Sequence, residues 1–226
     1  MPKTQTNSRF AREKLHLKNG CWWMPMSELK DKVVLITGAG RGLGRELALT
    51  LAKEGAIVAA NDLTPINVDE VVTEIIEGGA QAKIYVTDVS KKLAMQTMLS
   101  EVLADWKRID ILINHASVRP HDPILSMDEW DWRRTIDVIF TSTFSMTQSV
   151  GRVMKEQGNG VIVNIGPAPD ETAQPQAAYR AAKAGVLAFS EASAEELAEY
   201  GIKVFGISGG QGAVEELFDI LSAQGK

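Results

Sequence analysis

Residues that build disulfides and metal sites are scarce in this chain. Its 226 residues include a single cysteine, Cys21, which excludes an intramolecular disulfide. The three histidines are not grouped with cysteine at metal-ligand spacing, so we expect no metal site. These absences predict a protein of a reducing, cytoplasmic compartment.

Long apolar runs and an excess of positive charge are also missing. No apolar stretch approaches the roughly 20 residues that span a bilayer, so we expect no membrane partner. The net charge of −5 argues against a nucleic-acid partner bound through its phosphates. With 45% hydrophobic and 23% charged residues the composition is that of a globular protein, and the length suits one domain better than two.

The first 25 residues differ from the rest. Residues 1–20 carry five basic side chains against one acidic side chain, with little periodicity. They lack the apolar core of a signal peptide, so secretion is not expected. A flexible extension and a basic docking arm both fit this pattern, and we assign residues 26–226 to a single domain.

A glycine-rich stretch lies between an apolar strand and a helix. Val33–Ile36 predicts a buried strand, and leucines at 43, 47 and 51 predict an amphipathic helix. Glycines let the backbone turn sharply and bring its N–H groups against a phosphate, while a helix N-terminus adds partial positive charge. The pattern therefore predicts a dinucleotide site. The stretch consists of Thr37, Gly38, Ala39, Gly40, Arg41, Gly42, Leu43 and Gly44.

Apolar strands and helical segments alternate along the chain. Strands are predicted at 33–36, 56–61, 83–86, 110–114, 161–165 and 203–207. Helices are predicted at 43–52, 68–76, 92–106, 127–157, 177–200 and 214–222. Because the strands are apolar throughout, both faces of their sheet should be covered by helices. We predict a Rossmann-type, doubly wound α/β fold, a three-layer sandwich around a mostly parallel six-stranded sheet with ligands at the carboxyl ends of the strands.

Carboxylates follow the second and third strands. Asp62 lies eighteen positions after Gly44, where a carboxylate can bind both hydroxyls of an adenosine ribose and repel the 2′-phosphate of NADP. A turn or helix-capping role is the alternative for Asp62. Arg41 could instead meet a 2′-phosphate, so NAD is expected and NADP stays an alternative. Asp88 fits an adenine contact and a helix cap equally well.

Tyr179 and Lys183 stand four residues apart on a predicted helix, so both project from one face. A free tyrosine has a pKa of about 10, and a nearby ammonium group favours its phenolate. Ordinary surface pairs share this spacing. Here the pair indicates acid–base chemistry because it follows the fifth strand of a predicted dinucleotide-binding sheet.

These motifs resemble those of the short-chain dehydrogenase/reductase family, especially its 3-oxoacyl-carrier-protein-reductase-like members. The similarity runs from about residue 32 to 210 and also includes Asn114-His115-Ala116-Ser117. It implies hydride transfer between nicotinamide C4 and a carbonyl or secondary alcohol, with Tyr179 as general acid/base and Lys183 bound to the nicotinamide ribose. The implied cofactor contacts are Thr37, Gly38, Gly40, Arg41, Gly42, Leu43, Gly44, Asp62, Leu63, Asp88, Val89, Asn114, His115, Ala116, Tyr179 and Lys183.

The sequence also departs from the family pattern. The family's serine after the fifth strand falls at Gly166 and Pro167, and its active-site asparagine becomes Ile139. The 16 residues that follow Gly210 are too few for the usual substrate lid and seventh strand. Losing one donor to a developing oxyanion costs about 10²–10³ in rate, so we expect a weakened active site. Candidate substitutes are His115, Arg119, His121, Thr141, Ser142, Asp170 and Glu171.

Two functions are consistent with these observations. One is an NAD-dependent oxidoreductase acting through Tyr179 and Lys183. The other is a catalytically impaired nucleotide-binding protein that serves as a dimeric scaffold or regulator. The predicted helices 127–157 and 177–200 carry more apolar positions than one buried stripe needs, and the resemblance implies that they pair with a second subunit. We expect a homodimer or homotetramer with a small-molecule substrate that the sequence does not identify.

Overall fold

The computed structural model describes residues 29–168, 176–210 and 212–222. The N-terminal extension assigned to residues 1–25 lies outside the described residues. The strands are β1 Val33–Thr37, β2 Ile57–Asp62, β3 Ala82–Val86, β4 Ile111–Asn114, β5 Gly160–Ile165 and β6 Ile202–Ile207. The helices are α1 Gly42–Lys53, α2 Pro65–Glu77, α3 Lys92–Trp106, α4 Glu129–Ile136, α5 Ser142–Gln157, α6 Ala177–Leu197 and α7 Ala213–Ser222.

All six strands of the described residues belong to one parallel sheet in the order β3-β2-β1-β4-β5-β6. Within β1, Ile36 lies opposite Ala60 of β2 on one side and Ile113 of β4 on the other. The strand order reverses between β1 and β4, and the crevice outside their carboxyl ends is where such sheets bind ligands. The predicted doubly wound α/β fold is therefore confirmed.

Helices bury both faces of the sheet. Every residue of β1 is buried, and neighbouring side chains point to opposite faces. Ile36 packs in one core with Leu47 of α1, while Leu35 packs in the other with Met95 of α3 and Met146 of α5. This two-sided burial explains why the strands are continuously apolar, and it fixes the glycine-rich stretch between a rigid strand and a rigid helix.

The region predicted as one long helix at 127–157 contains an interruption. Its helix begins at Glu129, capped by the Asp128 side chain, which accepts a hydrogen bond from Asp131 N at 2.7 Å. A π-helical segment at Asp137–Thr141 then separates α4 from α5. A π-helical turn accommodates an extra residue and is common at functional sites, but apolar spacing alone does not reveal it.

Candidate active site

The glycine-rich stretch forms the turn from β1 into α1. Gly38 and Gly42 have φ angles of +70° and +54°, which favour glycine. A β-carbon on Gly44 would collide with the Gly38 carbonyl oxygen and lie 2.7 Å from His115 Nδ1. Space around Gly42, the first residue of α1, is open, and the first turn carries no acidic side chain. This cradle fits the phosphates of a dinucleotide, since the helix N-terminus favours negative charge.

Asp62 joins the end of β2 to this turn. One carboxylate oxygen accepts a hydrogen bond from Gly40 N at 2.9 Å, and the other accepts from Thr64 N at 2.9 Å. Thr64, not Asp62, is the capping residue of α2. A carboxylate has about four acceptor sites, so these two bonds leave sites for ribose hydroxyls. Leu63 beside it is 60% exposed and lines the same cleft.

Asp88 stabilises the turn that precedes α3. Its Oδ1 accepts hydrogen bonds from Ser90 N at 2.9 Å and from Ser90 Oγ at 2.7 Å. Lys91, not Asp88, is the capping residue of α3. Asp88 and Val89 both line the cleft, so the turn role coexists with the predicted adenine contact.

His115 locks the loop after β4 against the glycine turn. Thr37 Oγ1 accepts hydrogen bonds from the backbone N–H groups of His115 at 3.0 Å and Ala116 at 3.1 Å. The imidazole Nδ1 lies 3.1 Å from the Gly38 carbonyl oxygen. A carbonyl oxygen only accepts, which assigns the proton to Nδ1 and leaves Nε2 as an acceptor. Desolvation of the ring and the nearby charge of Lys183 lower the pKa of His115 to about 4.

The depressed pKa of His115 predicts a loss of stability on acidification. The unfolded histidine takes up a proton near pH 6.5 and the folded one only near pH 4, so the stabilisation is present above pH 6.5 and is lost as the pH falls towards 4. Between pH 7 and pH 5, the free energy of unfolding should fall by about 2 kcal/mol more in the wild type than in His115→Asn. Urea unfolding at the two pH values measures this, and equal losses would contradict it.

Buried amides connect β4 and β5 to α6. Asn114 Nδ2 donates to Asn164 Oδ1 at 2.8 Å, and Asn164 Nδ2 donates to Ser190 Oγ at 2.9 Å. The Ser190 hydroxyl in turn donates to the Val186 carbonyl at 2.7 Å. The network links the end of β4 through β5 to the helix that carries Tyr179 and Lys183.

Tyr179 and Lys183 are buried at the start of α6. Tyr179 is 4% exposed, and Lys183 Nζ donates to the Ile165 carbonyl at the end of β5 at 2.6 Å. Ile139 of the π-helical segment packs in one apolar cluster with Tyr179 and Ala182. Ile139, which stands at the position of the family's asparagine, therefore makes only apolar contacts with the tyrosine.

The position after β5 also lacks a polar group. A β-carbon on Gly166 would lie 2.7 Å from Leu187 Cδ2 and 3.1 Å from the Ile207 carbonyl oxygen. Gly166 N donates to that same carbonyl at 2.7 Å. A serine at this position would require the end of the Leu187 side chain to shift and the Ile207 carbonyl to move by a few tenths of an ångström.

Arg119 is the candidate substitute that reaches the tyrosine. Its Nη2 donates to Tyr179 Oη at 2.9 Å, and its guanidinium carbon lies 4.3 Å from the centre of the ring. Ser142 Oγ instead donates to the Val138 carbonyl at 2.6 Å, and Thr141 Oγ1 donates to Asp137 Oδ1 at 3.3 Å. The other candidates do not contact the tyrosine hydroxyl in the described contacts, and Asp170 and Glu171 lie outside the described residues.

A cleft of about 820 Å³ lies along the glycine turn and the loop after β4. It runs from Asp62 and Asp88, past the glycine turn and His115, to Arg119. Sequence reasoning missed several residues of its wall, which are Asn61, Thr64, Thr87, Ser90, Lys91, Val118, Trp130, Arg133, Arg134, Asp137 and Val138. Trp130, Arg133 and Arg134 are spaced three and four apart, which places them on one helix face and is the signal that could have found them.

Metal clusters and membrane-spanning helices are both absent from the part of the chain that the structure describes. No group of three or more His, Cys, Asp and Glu side chains in it could hold a metal ion. Nor does any helix in residues 29–168, 176–210 and 212–222 have the length and apolar character to cross a membrane.

Comparisons with known proteins agree with this geometry. The sequence profile of the short chain dehydrogenase family matches residues 32–215. A 3-oxoacyl-[acyl-carrier-protein] reductase from Synechocystis sp. is 36% identical over 187 residues, covering 82% of this chain and 76% of the relative.

Solved structures with bound nicotinamide cofactors are also similar. A xylitol dehydrogenase bound to NAD+ aligns with a TM-score of 0.76 and 32% identity over 81% of this chain and 71% of that one. A metagenomic short-chain oxidoreductase in complex with NADP aligns with a TM-score of 0.81 and 26% identity over 87% of this chain and 93% of that one. The chain belongs to the short-chain dehydrogenase family and is an oxidoreductase that resembles the 3-oxoacyl-[acyl-carrier-protein] reductases.

Proposed function

We propose that this protein is an NAD-dependent oxidoreductase that interconverts a carbonyl and a secondary alcohol. The observation that carries the proposal is the contact between Arg119, which lines the dinucleotide cleft, and the hydroxyl of Tyr179. A tyrosine hydroxyl held at the end of such a cleft can exchange a proton with a substrate oxygen. In this proposal Tyr179 is the general acid in reduction and the general base in oxidation.

The residues of the cleft suit the parts of the cofactor. The glycine turn and the N-terminus of α1 would hold the diphosphate, Asp62 the adenosine ribose, and Asp88 with Val89 the adenine. When bound, the nicotinamide supplies or accepts the hydride. Lys183 lies one helical turn from Tyr179 and would bind the nicotinamide ribose while its charge favours the phenolate. Burial of Tyr179 and Lys183 keeps water from the proton that is transferred.

Asp62 is the reason for proposing NAD over NADP. Its carboxylate lies at the end of β2 against Gly40, where it would meet the ribose hydroxyls and repel a 2′-phosphate. Arg41, the capping residue of α1, lines the same part of the cleft and is the feature that favours NADP. In our proposal Asp62 decides the preference for NAD, because it lies closer than Arg41 to the carboxyl end of β2.

Asp62→Asn tests the cofactor preference. Asparagine removes the charge and keeps a single oxygen, which can accept from either Gly40 N or Thr64 N but not from both. The loss of one turn contact affects both cofactors alike, so the ratio of their dissociation constants isolates the effect of the charge. Because hydrogen bonds to charged groups contribute about 1.5–3 kcal/mol, the ratio of the NADH and NADPH dissociation constants should shift towards NADPH by about 10- to 100-fold. Fluorescence titration with each cofactor measures the ratio. Asp88→Asn is the matched control and should leave it unchanged, and an unchanged ratio in Asp62→Asn would remove the basis for NAD.

The proposed function itself is tested in two steps. NADH binding is first measured by fluorescence, and hydride transfer is then followed on a panel of ketones, secondary alcohols and 3-oxoacyl thioesters. We expect micromolar binding and turnover of at least one class. The 3-oxoacyl thioesters are included because they resemble the substrates named for the bacterial relatives.

A nucleotide-binding scaffold or regulator is the second candidate. It is favoured by Ile139 and Gly166, which stand where the family has its asparagine and serine. In that case NADH binds with the same micromolar affinity but no compound of the panel is turned over. The intact contact between Arg119 and Tyr179 is our reason for preferring the enzyme.

We also propose that the protein forms a homodimer through α5 and α6. Phe144 of α5 is 45% exposed, and its ring meets that of Phe189 of α6 edge to face at 6.1 Å. Phe140 also meets Phe189 edge to face, at 6.3 Å. Exposed aromatic groups on adjacent helices are typical of protein interfaces. Light scattering at micromolar concentration should give at least twice the chain mass of 24.6 kDa, and a monomer would contradict this.

A further inference from the structure

We propose that Arg119 is the positioning residue of Tyr179, in place of the serine and asparagine that the chain lacks. The inference rests on the proposed function, since it assigns a role in the proton transfer of the same site. Arg119 lies in the loop after β4, so the same loop that contacts the glycine turn through His115 also reaches the tyrosine.

Two contacts fix the position of the guanidinium on the ring. Nη2 donates to Tyr179 Oη at 2.9 Å, and the guanidinium carbon lies 4.3 Å from the ring centre. The first contact orients the hydroxyl, and the second holds the cation over the ring face. A positive charge that also donates a hydrogen bond stabilises a phenolate more than a neutral phenol. Arg119 therefore favours the ionised form of Tyr179.

The residues that stand in place of the family's serine and asparagine carry no polar side chain. Ile139 contributes only hydrocarbon to the cluster around Tyr179, and Gly166 has no side chain that could donate a hydrogen bond. The hydroxyl of Ser142 donates to a helix carbonyl. Among the described contacts of the tyrosine hydroxyl, the hydrogen bond from Arg119 is the one that comes from a cation.

Other charged groups of the described residues also lie near this site. Lys183 lies one turn along the same helix, Asp137 of the π-helical segment and Arg134 of α4 line the cleft, and His115 stays neutral above about pH 4. Lys183→Met gives the separate contribution of the lysine.

The experiment is an ultraviolet titration of tyrosine ionisation in the free protein. The chain has three tyrosines, and subtraction of the Tyr179→Phe titration isolates Tyr179. Burial and the Asp105 carboxylate raise the pKa of Tyr85 well above its usual range. Tyr85 therefore stays un-ionised over the pH range in which Tyr179 is titrated. In Arg119→Met, Tyr179 should ionise about 1–2 pH units higher than in the wild type, and in Arg119→Lys at an intermediate pH.

Matched controls make the result specific. Lys155 Nζ lies 3.8 Å from the ring centre of Tyr200, so Lys155→Met removes a comparable cation from another tyrosine and should leave Tyr179 unchanged. Arg119→Gln keeps a hydrogen-bond donor without the charge and should also raise the ionisation pH. Identical Tyr179 titrations in the wild type, Arg119→Met and Arg119→Gln would overturn the inference. Because the titration needs neither cofactor nor substrate, it can succeed even where the panel of substrates shows no turnover.

Discussion

Tyr179→Phe is expected to lower turnover by about 10²–10⁴-fold, the usual contribution of a general acid–base group. The substitution removes only the hydroxyl. The ring stays in its cluster with Ile139, Ala182 and Val186, so the fold and the cofactor cleft should be preserved. The affinity for NADH should change little, because the described residues that line the cleft do not include Tyr179.

Steady-state rates and NADH fluorescence, measured on the same preparations, separate the effect on turnover from the effect on NADH affinity. A fall in the turnover number with unchanged NADH affinity is the predicted outcome. Turnover equal to that of the wild type would contradict the assignment of Tyr179 as acid and base. A parallel loss of affinity and rate would instead place the tyrosine in cofactor binding.

Gly44→Ala is expected to weaken NADH binding by at least about 100-fold, or about 2.7 kcal/mol. The new methyl group would collide with the Gly38 carbonyl oxygen and lie 2.7 Å from His115 Nδ1. Both neighbours are held in place, since Gly38 lies in a tight turn and the His115 backbone N–H donates to Thr37 Oγ1. The turn must open to accept the methyl group, and the phosphate cradle opens with it.

Gly151→Ala is the matched control for this substitution. Gly151 lies within α5, and a β-carbon there would meet its nearest neighbour, Leu197 Cδ1, at 3.9 Å. Alanine is the better helix former, so this control should keep NADH binding and unfold at an equal or higher temperature. Circular dichroism checks that Gly44→Ala is folded. A folded Gly44→Ala protein with wild-type affinity would show that the glycine turn is not the cofactor cradle.

Much of the fold follows from local sequence patterns. Continuous apolar runs, such as Val33–Ile36, predict two-sided burial, and the glycine turn marks where the first helix begins. Leu47 and Leu51 are fully buried as their spacing predicts. The π-helical segment at Asp137–Thr141 was not predicted, because a single extra residue in a helical turn leaves no clear mark in apolar spacing.

The candidate site was predicted less completely. The residues at strand ends, such as Asp62 and Asp88, could be placed because parallel strands bring their carboxyl ends to one edge. Arg119 could be named only as one of several polar residues near the mouth, since a loop has no periodicity that fixes where a side chain points. The proton position on His115 required the distance to Gly38, which no sequence pattern contains.

The transfer of deuterium from cofactor to product tests the central claim most directly. Wild-type protein is mixed with NADH deuterated at C4 and with pools of carbonyl compounds, and mass spectrometry follows the label. Our account predicts that deuterium appears on the alcohol carbon of one product class, with one cofactor oxidised per product formed, and that Tyr179→Phe loses most of this transfer. Saturable NADH binding with all of the label retained on the cofactor, in every pool, would contradict the account.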